Sequence, residues 1–186
     1  MSYCSICMLF GTLAAIMTTY YGPGAAGSGV AEMIGYLNGV NYPNFIGVDT
    51  LITKILGVVL AVSGRLCIGK EGPLAHIGSI IGVMVPYIPG VGFEHMRNDK
   101  FKRELIAAGG SAGVAAAFGA PIGGALFSYE MSKSTNFWSF KMLYKTFISC
   151  SFAVIVLGFL QSAATGFKGD AYAGGLVKFG KPELQE

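Results

Sequence analysis

The sequence predicts an all-α, polytopic integral membrane protein, and three observations predict it. Hydrophobic residues make up 53% of the chain and charged residues only 12%, against roughly 25% charged in soluble domains, and the mean hydropathy is +0.58. The charges are gathered into short segments, leaving uncharged runs at 1–31, 33–48, 55–64, 72–93, 105–129 and 146–167. Glycine is abundant, at 28 of 186 residues, well above its usual share of ~7%. So apolar a chain does not stay solvated, which excludes disorder. The glycines keep no three-residue period, which excludes collagen.

The runs set the elements. A helix needs about 20 apolar residues to cross a bilayer. Runs 1–31, 105–129 and 146–167 are long enough to span or nearly so, whereas 72–93 is interrupted by Pro86 and Pro89. The first run lacks the basic start of a signal peptide; it begins inside membrane-type sequence, so a natural beginning upstream is expected. Seven charged residues (Glu94, Arg97, Asp99, Lys100, Lys102, Arg103 and Glu104) crowd into 94–104 beside His95. They predict a solvated loop, and its four basic residues place it on the cytoplasmic side. Lys133, Lys141 and Lys145 form a second basic stretch. If 105–116 rises and 120–130 descends, both stretches share one face. Nucleic-acid binding is a poor reading, because the loop alternates sign. Cys4 and Cys7 have CxxC spacing, but no second pair or histidine completes a metal site. With Cys67 and Cys150 they read as small apolar helix residues, with no metal, cofactor or disulfide expected.

Three glycine-rich motifs carry the chemistry. In the first, Gly27-Ser28-Gly29 precedes an apolar segment and reads as a helix start with Ser28 as N-cap. The first N–H groups of a helix have no partner, and the dipole adds partial positive charge. Inside a membrane such an end needs protein, water or an anion before it. Taken alone, the motif reads first as a plain capped turn, with an anion site as the alternative. The second motif, Gly69-Lys70-Glu71-Gly72-Pro73, starts another helix, since Pro73 suits a first turn where its missing N–H is no loss. Glu71 is either a structural cap or a tethered anion that occupies an anion site and leaves on protonation or displacement. Intramembrane acids are functional by default. The stretch from Gly64 to Lys70 nearly matches a phosphate loop, but Glu71 stands where Ser or Thr should hold Mg²⁺, so neither an NTPase nor another enzyme is expected. The third motif, 107–130, repeats small residues at four-residue spacing (Gly109/Gly113 and Gly119/Gly123, with Gly78/Gly82 earlier). That spacing lets helices touch backbone to backbone, and Pro121 should divide the run into two helices.

Together and in this order, residues 27–32, 69–73 and 118–130 resemble the chloride channel and chloride/proton antiporter family, usually called CLC. The segment 35–40, Gly-Tyr-Leu-Asn-Gly-Val, looks like eukaryotic members. The resemblance implies a membrane fold of two inverted halves, of which 1–186 is most of the first, with one anion pathway per subunit of a homodimer. It implies chloride contact at Ser28, Gly29 and Val30, a selectivity motif including Gly27, Gly69, Lys70, Gly72 and Pro73, and gating by Glu71. It also implies that helices around 120–131 and 143–160 contribute to the dimer interface. The second half and any cytoplasmic nucleotide-sensing domains are not in these residues. Three departures stand out. Val30-Ala31 replaces Ile-Pro, and Arg65 sits where the family usually has glycine. Met131 holds the place of a second glutamate that passes protons in antiporters, and a thioether exchanges no proton. The expectation is therefore a chloride channel in a membrane. The alternatives are a chloride/proton antiporter and, from another class, a non-conducting truncated subunit.

Overall fold

The computed structural model describes residues 2–88, 97–133 and 139–164. Seven helices account for most of them: α1 (Ser2–Tyr20), α2 (Val30–Leu37), α3 (Val48–Ser63), α4 (Glu71–Met84), α5 (Asp99–Phe118), α6 (Pro121–Ser132) and α7 (Phe140–Ala164). Short 3₁₀ turns at Pro23–Ala25 and Val85–Tyr87 join α1 to α2 and end α4. Among the described residues no strand occurs.

The predicted breaks are where the backbone demands them. Gly119 ends α5 in the left-handed conformation, φ 66°, and Pro121 opens α6. Pro86 lies in the 3₁₀ turn after α4. The run 105–129 is thus two helices, and among the described residues only α1 and α7 are each long and apolar enough to cross a membrane alone. One expectation is corrected: residues 99–104 are not loop but the first turns of α5. Asp99 stabilises that N-terminus through the helix dipole, and the charged side chains still reach solvent there. Glu94 and His95 lie outside the described residues.

α4 and α5 form the most extensive helix pair; α6 and α7 both pack on α5, and α1 pairs with α3. The α4–α5 seam is built on glycine. A Cβ at Gly78 would collide with the Gly109 carbonyl, one at Gly109 with the Gly78 carbonyl, and one at Gly113 with the Leu74 carbonyl. The 78/82 and 109/113 spacings are therefore backbone-to-backbone contacts, as expected. The 119/123 spacing is not. Gly123 faces only Ala120, and its neighbour Gly124 instead meets the Ser111 carbonyl, Ala115 and the Cys150 sulfur. Gly119 is needed for its backbone conformation rather than for space. Serines bind the helices further: Ser79 Oγ donates to the Ile106 carbonyl at 2.9 Å, and Ser128 Oγ to that of Ala107 at 3.2 Å.

The core gathers Met33, Leu37, Phe45, Ala75, Val83, Ile106, Ala107, Val114, Met131 and Met142. Outside it the apolar surface is broad. On α7, Phe152, Phe159 and Leu160 are exposed, as are Leu9 and Ile16 on α1 and Ile122 and Leu126 on α6. Contiguous apolar faces of this kind belong against lipid or other protein.

Candidate functional site

The two helix starts singled out by sequence meet in space. α2 begins at Val30 after Gly27 and Gly29, both with positive φ (68° and 83°). Glycine is required at both, since other residues are strained in that region. α4 begins at Glu71. A Cβ built on Gly72 would lie 2.7 Å from Ser28 Cβ, so the first turn of α4 rests directly on the Gly-Ser-Gly turn. Gly72 is small for this close approach.

The N-cap of α2 is Gly29, not Ser28. Ser28 sits one residue earlier, and its hydroxyl accepts only a long hydrogen bond, 3.4 Å, from the Val30 N–H. The left-handed turn at Gly29 moves Ser28 off the helix end, which leaves the hydroxyl proton free to point elsewhere. Glu71 is the first helical residue of α4, as expected, and half-buried. Its carboxylate turns back over the preceding loop, where a Cβ on Gly69 would come within 2.6 Å of Oε2. Among the described residues no basic side chain pairs with it. Lys70 precedes it, exposed. Pro73, buried, occupies the third helical position, where it lacks a donor that would have had no partner.

Around these starts lies a cleft of about 640 Å³, whose lining includes Gly27, Ser28, Lys54, Gly69, Gly72 and Pro73. Small residues of α1 and α3 form its other walls. Ser28 of the glycine turn and Gly72 in the first turn of α4 therefore border one space. Helix starts and hydroxyls of this kind offer partial positive charge, the chemistry that suits an anion.

Lys54 is the residue that sequence reasoning missed. It lies on α3, is 2% exposed, and its Nζ donates to the carbonyls of Ala25 (3.0 Å) and Gly27 (2.8 Å). A buried ammonium requires such partners, and here they are the carbonyls of the glycine loop itself. Lys54 thus clamps the loop and brings a fixed positive charge to the cleft. The signal was a lone lysine on an otherwise apolar helix, with uncharged residues for four positions on one side and ten on the other.

Met131 is 4% exposed and belongs to the apolar core. Its neighbour Glu130 is exposed. Arg65 adopts a left-handed backbone, φ 54°, directly after α3, which explains why glycine suits that position. At the opposite end of α4, Lys145 pairs with Glu104 at 2.8 Å. That ion pair brings the second basic stretch beside the charged start of α5, so the two share one face.

Comparison with known proteins agrees with the motifs. A family model described as voltage gated chloride channel matches residues 10–179. The chain is 39% identical to chloride channel protein A of Dictyostelium discoideum, over 96% of this chain and 21% of that protein. It is 36% identical to H(+)/Cl(-) exchange transporter 7 of Homo sapiens, over 92% of this chain and 22% of that one. To chloride channel protein CLC-a of Arabidopsis thaliana the identity is 38%, over 90% of this chain and 22% of the relative. The chain spans about a fifth of the length of these curated relatives.

Proposed function

The chain belongs to the voltage gated chloride channel family, and from that premise we propose that the full-length protein conducts chloride passively across a membrane through a pathway closed by Glu71. The carrying observation is the contact of Gly72, in the first turn of α4, with Ser28, in the turn that leads into α2. Ser28, Gly29 and Val30 hold the ion on one side and the start of α4 on the other. Partial charges suffice to replace water without trapping the ion. Lys54, at the cleft wall and tied to the loop carbonyls, adds attraction for the anion. Glu71, a carboxylate at a helix start, competes with chloride for the same N–H groups, so opening requires it to leave or to become protonated.

Half of a site fits the length of the chain. The remaining donors belong to a second helical half, with α6 and α7 contributing to a homodimer and α1 and α7 to a multi-pass arrangement in lipid. Met131 supports conduction over coupled exchange, because a buried thioether in an apolar core neither takes nor gives a proton. The second reading, a chloride/proton antiporter, is favoured by the relatives named as exchange transporters.

The test is the chloride reversal potential of the full-length protein under an imposed pH gradient. A channel shows no shift. A clear shift overturns the channel reading in favour of exchange, and absence of chloride current overturns both.

A further inference from the structure

His76 lies on α4, five residues after Glu71, and its side chain is fully buried. Three contacts define its place. Its Nε2 lies 3.0 Å from the Phe45 carbonyl; a carbonyl only accepts, so Nε2 carries the proton. Its ring stacks on Phe45 with centroids 4.5 Å apart and planes 12° apart. Its other edge fills the space where a side chain at Gly29 would stand: a Cβ there would overlap Nδ1 and lie 2.6 Å from Cγ. Nδ1 has no hydrogen-bond partner, so the ring is held by one directional bond and by shape.

These contacts join three segments of chain that are far apart in sequence. Ser28 against Gly72 is one point where the glycine turn touches α4; Gly29 against His76 is a second, one turn further along the helix. Lys54 ties the loop to α3, and these two contacts set its separation from α4 and its rotation against that helix. Phe45 anchors the second point from the loop between α2 and α3. An anion held by partial charges senses small changes in that separation, because the interaction with each dipole falls with distance.

We propose that His76 is a positioning residue for anion selectivity. Through its Nε2–H bond to Phe45 it holds Gly29, and with it Ser28, at a fixed distance from the start of α4. The inference deepens the transport reading above and rests on it.

The test compares His76→Gln with His76→Asn in the full-length protein. Glutamine carries an amide N–H at the reach of Nε2 and can donate to the Phe45 carbonyl; asparagine is too short. The measurement is the chloride-to-nitrate permeability ratio, with Gly158→Ala on α7, where a Cβ meets nothing within 4 Å, as the control that leaves the ratio unchanged. The asparagine variant should shift the ratio about threefold to tenfold, the scale of one lost hydrogen bond, while glutamine stays near wild type. Equal ratios in wild type and both variants overturn the proposal, including the case in which only the amount of protein in the membrane falls. Equal shifts in both variants also overturn it, since the Phe45 bond would then not be the cause. Should wild type pass no chloride current, the transport reading fails, and chloride binding by calorimetry on the same purified variants decides the role of His76 by the same comparison.

Discussion

At the scale of single residues, the candidate site turns on where the Glu71 and Lys54 side chains end up. Glu71 curls over Gly69 at the start of α4, so its removal should leave the anion path without its competitor. Glu71→Gln is expected to yield currents that no longer depend on voltage or external pH, read from macroscopic currents of the full-length protein; unchanged gating would refute the assignment. Lys54 makes two charge-assisted bonds to the glycine loop. Lys54→Met keeps the length of the side chain and loses both bonds and the charge. Hydrogen bonds to charged groups contribute about 1.5–3 kcal/mol each, so a fall in chloride affinity of at least about tenfold is expected, measurable by isothermal titration. Wild-type affinity in the methionine variant would mean that the loop holds its shape unaided. Arg65 tests the opposite direction. Its φ of 54° is unfavourable for a side chain by about 1–2 kcal/mol, partly offset by the entropy glycine loses. Arg65→Gly should therefore be neutral or slightly stabilising in a thermal melt, and a marked loss would reveal a role for the guanidinium.

At the scale of elements, the α4–α5 seam supports the site. Gly78, Gly109 and Gly113 face carbonyls across the seam with no room for a methyl group. Gly109→Val should force the helices apart at a cost of about 1–3 kcal/mol, the usual range for overpacking. Gly158 on α7 is the control, since a Cβ there meets nothing within 4 Å. The check is thermal stability of the detergent-solubilised full-length protein: a large fall for Gly109→Val and little change for Gly158→Val. Similar falls would mean that helix propensity, not the seam, sets the cost. The same seam shows the limit of motif spacing. The 109/113 pair and the 119/123 pair look alike in sequence, yet only the first packs backbone on backbone. Gly119 is taken up in ending α5, and on α6 it is Gly124 rather than Gly123 that meets α5 and α7.

At the scale of the whole molecule, exposed apolar surface and chain length point the same way. α1 and α7 carry exposed aromatic and aliphatic side chains along their lengths, and α1, α3 and the start of α4 wall the cleft beside Ser28. Under the proposed function, further helices complete the site, and chloride conduction requires the longer protein. A vesicle flux assay should show chloride efflux with the full-length protein and none with residues 1–186 alone; efflux from the isolated segment would show that one half suffices.

Much of this was legible in the sequence because it rests on local chemistry. Charge spacing separates the helices. Glycine and proline stop and start them, and a carboxylate beside Gly-Pro marks a helix N-terminus in apolar surroundings. These features depend on neighbours within a turn or two, where backbone sterics and unpaired N–H groups act. The tertiary structure alone decided what lies against what. It moved the cap of α2 from Ser28 to Gly29, made 99–104 helical and carried Lys54 from α3 to the carbonyls of Ala25 and Gly27. It also set His76 against Gly29 and Phe45. Each of these joins residues far apart in the chain or depends on a backbone angle set by packing. Their energy comes from burial and close contact between segments, and no local pattern of residues encodes that.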